Sequence, residues 1–262
     1  MIQNVPSIYN QPSIYNQGGG GGGTFNVDIG GGVSQELTFP PYLVPVEYIN
    51  FEDYTANAFC MLAPVQFYLE NNDELFFKIA FDTSKIVTAE YIFSGYPALG
   101  ENGSNLYPTL FVQSSKRVKI NYGNVGADVT GPNFHTEDYI LIDYKNQTKT
   151  LLVKDGFGNS QTYTSTNSYN NPYQGYFSLF GLNHQNPVYN FHGKIFYGWI
   201  KNGDKVKALF VPARFKDTGN ANPYFVECVK GTIGYNVSKN WSTSGIAFGP
   251  DIDLSDIGNY FQ

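Results

Sequence analysis

From Leu37 onward the chain is a succession of short apolar and aromatic runs, each closed by a cluster of Gly, Pro, Asn or Asp, and no stretch carries a sustained helical period. That pattern describes a chain of β-strands. Strands are expected at 46–51, 75–81, 86–93, 109–112, 117–122, 139–144, 150–153, 176–180, 194–200 and 205–211. Composition agrees: 21 Tyr and 21 Phe suit a pleated surface, while 28 Gly and 14 Pro punctuate it. About a dozen strands in one sheet would curl or split, so the expected fold is all-β, an antiparallel two-sheet sandwich.

Two hairpins stand out. In the first, 194–200 is followed by Lys201-Asn202-Gly203-Asp204 and then 205–210, and Asn202-Gly203 is expected to supply the positive φ angles of a type I′ turn. Its second strand is expected to alternate, with Lys205 and Lys207 outward and Val206 and Ala208 inward. The second joins 139–144 to 148–153 through Lys145-Asn146-Gln147.

Ahead of the strands lies a different kind of chain. Pro6-Ser7-Ile8-Tyr9-Asn10-Gln11 is repeated without change as Pro12-Ser13-Ile14-Tyr15-Asn16-Gln17, and six glycines, Gly18 to Gly23, come next. A six-residue repeat keeps Ile8 and Ile14 on one face, and Tyr9 and Tyr15 likewise, in a strand or in polyproline II but not in a helix. The prolines also oppose helix. An extended peptide with two equivalent apolar-aromatic anchors is what a partner with repeated pockets or an open sheet edge captures, so Pro6, Ile8, Tyr9, Pro12, Ile14 and Tyr15 are the expected partner-docking residues. The expected division is an arm at 1–17, a glycine-rich linker at 18–36, a β-sandwich at 37–250 and a solvated tail at 251–262.

Sixteen basic against twenty-two acidic residues, a net charge of −6, argue against nucleic acid or an anionic membrane as partner. No apolar run is long enough to span a bilayer, and the polar start at Met1 lacks the pattern of an export signal. Cys60 and Cys228 match no metal or redox spacing and are expected to be free buried thiols. The N-x-S/T matches at Asn102, Asn146, Asn236 and Asn240 are expected by chance in so Asn-rich a chain.

The closing part of the chain carries a resemblance. Phe191-His192-Gly193-Lys194-Ile195-Phe196-Tyr197, then Lys201-Asn202-Gly203-Asp204, then Ala208-Leu209-Phe210-Val211-Pro212-Ala213-Arg214, with Tyr235-Asn236 and Ser244-Gly245 beyond, resembles the closing hairpin of concanavalin A-like, laminin-G-like jelly rolls of bacteriophage virion proteins. Val46-Glu47-Tyr48-Ile49 and Tyr176-Phe177-Ser178-Leu179-Phe180-Gly181 are similar to an opening and a middle strand of that family. The family's Gly-Leu-Tyr-Asp element stands here as Pro223-Tyr224-Phe225-Val226-Glu227. The resemblance implies a jelly-roll sandwich and a structural role in the virion.

Catalytic chemistry is not visible. The related glucanases place alternating carboxylates on one strand face, and no Glu-x-Asp-x-Glu pattern occurs here. Glu52-Asp53 and Glu137-Asp138 are adjacent pairs, expected to point to opposite sheet faces as surface acids. His135, His184 and His192 have no metal-ligand spacing, and 251–256 lacks the Gly and closing Glu of a calcium loop. No cofactor and no metal is expected. Aromatic and Asn-rich loops suit glycan or protein contacts, and the candidates are Asn102, Asn105 and Tyr107 in one loop and Tyr169, Asn171 and Tyr173 in another.

The expected function is that of a non-enzymatic bacteriophage virion structural protein, a fibre, decoration or appendage subunit. It would be assembled in the bacterial host cytoplasm and held to capsid, portal or tail by its arm, with homo-oligomers raising the effective concentration of a weak anchor. The alternative is a host-surface glycan-binding receptor module.

Overall fold

The computed structural model describes residues 23–30, 32–53, 61–96, 108–122, 125–129, 134–166, 173–179, 191–217, 222–236 and 244–261. In chain order the strands are β1 Gly23–Gly30, β2 Val33–Phe39, β3 Leu43–Pro45, β4 Ile49–Asn50, β5 Met61–Leu69, β6 Asp73–Ala80, β7 Glu90–Tyr96, β8 Thr109–Val112, β9 Arg117–Ile120 and β10 Val125–Asp128. They continue as β11 Ile140–Lys145, β12 Thr150–Asp155, β13 Ser160–Thr164, β14 Tyr173–Leu179, β15 Lys194–Asn202, β16 Lys205–Phe215, β17 Tyr224–Glu227, β18 Thr232–Asn236 and β19 Ala247–Phe248. A single helical turn, α1 Leu254–Ile257, and a 3-10 turn, Gly258–Phe261, close the chain.

Pairing among the described residues is antiparallel throughout. It runs as one ribbon, β13-β12-β11-β6-β15-β16-β17-β18, and β18 then passes it to β5-β14-β7-β8-β9-β10. The ribbon folds over so that its two halves face one another across the main core. Leu75, Phe77 and Ile79 of β6, Ile140 and Ile142 of β11 and Phe210 of β16 contribute from the front half. Ile92 and Phe93 of β7, Leu110 of β8, Val118 of β9 and Val125 of β10 contribute from the back. Phe77 and Phe93 meet across the layers with ring centroids 5.5 Å apart. Alternate residues point inward because side chains alternate along a strand, and the burial strings of β6, β11 and β12 alternate accordingly.

A second core lies on the opposite face of the front sheet, in addition to the single inter-sheet core of the expected sandwich. The 18–36 span, expected to be a linker, instead contributes most of a hairpin: β1 pairs with β2 from Gly23↔Phe39 to Asp28↔Ser34. Phe25, Val27, Ile29, Leu37 and Phe39 from this hairpin pack with Trp199, Leu209, Val211, Val226 and Cys228 of the sheet region. Thr24-Phe25-Asn26-Val27-Asp28-Ile29 alternates at period 2, the pattern of a half-buried strand, and the flanking glycine clusters mask it. The 251–262 span is likewise not a free tail. Ile257 of α1 is fully buried in this second core, and Leu254, Tyr260 and Phe261 pack against it. Asp253 and Asp256, whose spacing has a calcium-loop rhythm, fix the start of α1, where the Asp253 N–H donates to Asp256 Oδ2 at 3.0 Å.

With cores on both faces, β16 is buried almost continuously. A register shift near its start corrects the expected alternation: Ile200 pairs with Ala208 and Lys201 with Val206, which leaves Lys207 as the extra residue. Val206 therefore enters the second core and Ala208 the first, because a bulge reverses the facing of the residues beyond it. Lys207, freed from the ladder, reaches Asp73 Oδ2 at 2.6 Å, Glu70 Oε2 at 3.0 Å and the Tyr68 carbonyl at 2.5 Å.

The turn of this hairpin also differs from expectation. The loop is Gly203-Asp204, since Asn202 pairs with Lys205, and only Gly203 has positive φ, at 54°. Glycine first is the II′ pattern, not the I′ pattern. Asn202 stays in the strand and donates to Asp73 Oδ1 at 2.8 Å. In the second hairpin Lys145 pairs with Thr150, so the loop is 146–149, with Lys149 at φ 52° and its Nζ 2.7 Å from Asn146 Oδ1. The expected strand 46–51 is cut back to β4 at 49–50 and is preceded by β3 at 43–45, because the chain changes partner from β16 at Pro45 to β15 at Ile49. Strand β7 begins at Glu90 rather than at residue 86.

Candidate functional site

The candidate glycan loops and the arm fall mostly outside the described residues: Pro6, Ile8, Tyr9, Pro12, Ile14, Tyr15, Asn102, Asn105, Tyr107, Tyr169 and Asn171 all do. Tyr173 is described and corrects its expected place. It opens β14, paired with Leu69 of β5, and is not a loop residue.

Where the hairpin and C-terminal turns stop covering the outer face of the front sheet, that face opens into a cleft of about 540 Å³. It is lined by Glu47, Tyr48, Lys78, Glu137, Asp138, Tyr139, Gly156, Phe157, Lys194 and Phe196. The sheet supplies its floor. Lys78 comes from β6, facing away from the main core like Phe76, and Lys194 and Phe196 come from β15. A bulge between Ile195 and Tyr197 leaves Phe196 unpaired and places Tyr197 opposite Lys78. The walls come from the segment joining β3 to β4, the turn before β11 and the turn after β12.

The rings and cations of the cleft are organised around each other. Lys78 Nζ lies 4.4 Å from the centre of the Tyr139 ring and 4.8 Å from that of Phe196. Lys194 Nζ lies 5.4 Å from the centre of Tyr48, whose ring meets Phe196 edge-on at 5.3 Å. Burial lowers the pKa of Lys78, and the charge of Glu47 opposes that shift. Gly156 is needed where it stands, since a Cβ there would come 2.8 Å from the Tyr139 ring.

One lip of the cleft is a rigid turn. Asp155 accepts backbone N–H bonds from Phe157 at 3.0 Å, Asn159 at 2.9 Å and His135 at 3.0 Å, and the Asn159 side-chain amide at 2.8 Å. Burial alone would raise its pKa. The Asn159 side-chain bond and the three backbone bonds outweigh this and hold the carboxyl below its ordinary value. The turn presents Phe157 with 66% of its surface exposed, against the His135 ring at 4.5 Å. Glu137 and Asp138 lie in a turn, not on a strand, so the expected division between two sheet faces does not apply and both line the cleft. Glu52 and Asp53 also share a side, both within 4 Å of Lys85 Nζ, at 3.8 and 3.9 Å.

Outside the cleft, the same face of the sheet carries the second core. Tyr197 stacks on Tyr260 at 3.8 Å, and burial, then the Tyr139 hydroxyl, push its pKa up to about 12. Tyr260 is raised further, by burial first and then by Tyr197 and Glu47. His192 hydrogen-bonds through its N–H (2.8 Å) and Nδ1 (2.9 Å) to the buried Glu90 carboxylate. Asn146 is buried with its amide donating to the Glu70 carbonyl at 2.9 Å. Cys228 is a free buried thiol, its pKa raised by burial and by Glu227. Among the described residues no group of three or more His, Cys, Asp or Glu side chains is arranged to hold a metal ion.

No protein-family model matches the chain, and no curated protein matches it. Among solved structures, a similarity was found to the crystal structure of scytalido-glutamic peptidase with a transition state analog inhibitor, at 10% identity and a TM-score of 0.29, covering 76% of this chain and 91% of that one. A likeness at that level carries no inference about fold or activity here.

Proposed function

We propose that this chain is a non-catalytic structural protein of a bacteriophage virion, a fibre, decoration or appendage subunit. Its duplicated N-terminal arm attaches it to capsid, portal or tail, and its body presents the outer-face cleft. The observation that carries this reading is the perfect duplication at 6–17 followed by glycines, two identical apolar-aromatic motifs of the kind a partner with repeated pockets captures. The β-body is read as a concanavalin A-like jelly roll. Support comes from the antiparallel ribbon and from the β15–β16 hairpin, which forms where the sequence resembles the closing hairpin of such domains. Self-association into a symmetric oligomer belongs to the same reading, because several copies of a weak anchor act together.

The experiment is substitution of Ile8, Tyr9, Ile14 and Tyr15 by Ala, with purified particles assayed for the chain by mass spectrometry. The reading expects loss from particles when both repeats are altered and a smaller loss when one is. Unchanged incorporation of the fourfold variant would overturn it.

A further inference from the structure

The geometry points to an interface between two copies of this chain: the free edge of β13 pairs antiparallel with β13 of a second copy about a two-fold axis at Thr162, joining the two front sheets into one. This rests on the self-association in the reading above, and it names the surface that carries it.

Strands β13 and β10 end the paired ribbon, and the phase of each ladder fixes where their backbone groups point. The Asp155 N–H donates to the Asn159 carbonyl at 3.0 Å, and the Ser165 N–H to the Lys149 carbonyl at 3.0 Å. In the unbroken register between these bonds, Gln161 and Tyr163 turn N–H and C=O toward β12, while Ser160, Thr162 and Thr164 turn theirs away from it. The same reasoning from the Val129 N–H, which donates to the Lys116 carbonyl, makes Gly126 and Asp128 the outward residues of β10. A side chain blocks that edge: Arg117 Nη2 donates to the Gly126 carbonyl at 2.8 Å, and its guanidinium lies 5.1 Å from the centre of the Tyr163 ring. On the outer edge of β13, no strand among the described residues is paired.

An open sheet edge is normally guarded by Lys, Pro or a bulge. Strand β13 reads Ser-Gln-Thr-Tyr-Thr, without charge or Pro, keeps register with β12 throughout, and is exposed at every position except Gln161, which is half-buried. Its outward residues are self-complementary. A two-fold axis at Thr162 sets Thr162 opposite itself and Ser160 opposite Thr164 of the second copy, for about six backbone hydrogen bonds. Charge fits as well: on β12, Lys154 lies beside Ser160 and uncharged Thr150 beside Thr164, so the axis brings each ammonium toward a threonine and not toward the matching ammonium. One strand pair is a small contact beside the ~1,200–2,000 Å² of stable complexes. It therefore holds together copies that their arms have already gathered on one particle.

The test is disulfide trapping on the full chain. Thr162→Cys puts a thiol on the axis, where facing Cα atoms about 5.5 Å apart permit a bridge, whereas Gln161→Cys faces Tyr163 of the second copy and meets no thiol. Both are oxidised beside the parent chain, which carries Cys60 and Cys228, and bridged peptides are identified by mass spectrometry. A third variant adds Thr164→Pro to Thr162→Cys, which removes an outward N–H and leaves the β12 ladder in place. Thermal unfolding confirms that each variant is folded. The expected result is a bridge between position 162 of two copies, about tenfold or more scarcer with Thr164→Pro added, and no comparable bridge from Gln161→Cys. Absence of that bridge in folded Thr162→Cys, equal trapping by Gln161→Cys, or trapping that Thr164→Pro leaves unchanged in the folded variant would overturn the assignment. If no dimer is trapped yet the chain enters particles through its arm, the edge assignment fails while the virion reading stands.

Discussion

The Tyr260 ring lies flat on the Tyr197 ring, centroids 3.8 Å apart and planes 7° apart, so the C-terminal turns are packed onto the sheet as part of the second core. Phe261 reaches Trp199 in the same way, at 5.7 Å, and fully buried Ile257 anchors the turn that delivers both rings. Ile257→Ala should lower unfolding free energy by ~2–5 kcal/mol through loss of burial and the cavity left behind. Urea denaturation measures it. A loss near zero would mean that the C-terminal turns do not belong to the folded body.

The β1–β2 hairpin makes a parallel case. Ile29→Ala should also cost ~2–5 kcal/mol, because Ile29 is buried in the second core beside residues of β16 and β17. The same denaturation experiment distinguishes a structural layer from a tether, since a change at a true linker would leave the midpoint in place.

Asp73 is fully buried and gathers Lys207, the Asn202 amide and the Glu70 N–H. Asp73→Ala should destabilise by ~3–5 kcal/mol, since it strands the Lys207 ammonium, which is only 17% exposed, without its nearest carboxylate. Changing both, Asp73→Ala with Lys207→Met, should cost less than the sum of the single changes. Additive losses would show that the two side chains do not act as a pair.

Two carboxyls give opposite pH responses. Asp155 has a lowered folded pKa, so its contribution is present above the unfolded value of about 3.9 and is lost as pH falls through the folded value. Glu227 has a raised folded pKa: burial dominates over the N–H bonds it accepts from Val229, Leu209 and Lys230. Its contribution is complete below the unfolded value, about 4.3, and is lost as pH rises through the folded one. Denaturation midpoints from pH 2 to pH 8 should therefore show a shallower acid limb for Asp155→Asn than for the parent. Identical acid limbs would contradict the turn geometry around Phe157.

Much of the β-body is legible in the sequence because its signals are local. The runs at 75–81, 109–112, 139–144 and 194–200 carry apolar and aromatic residues at strand spacing, and each lies within or largely over an observed strand. Departures from expectation gather where packing overrides a local signal. Glycines at both ends of β1 resemble a tether, yet the alternation of Phe25, Val27 and Ile29 finds the outer face of β16. The Lys207 bulge is set by Asp73, more than a hundred residues away, and no local pattern announces it. The cleft is hidden for the same reason: Tyr48, Lys78, Tyr139, Phe157 and Phe196 come from five separate stretches. A usable hint is Gly156-Phe157-Gly158, an apolar ring in a turn directly after an Asp that can cap it.

Removing residues 1–17 and measuring both thermal unfolding and incorporation into particles on the same protein puts the division between anchor and body to its most direct test. The account predicts an unfolding temperature equal to that of the full chain together with loss from the particle. A truncated chain that still assembles at the normal level would contradict it.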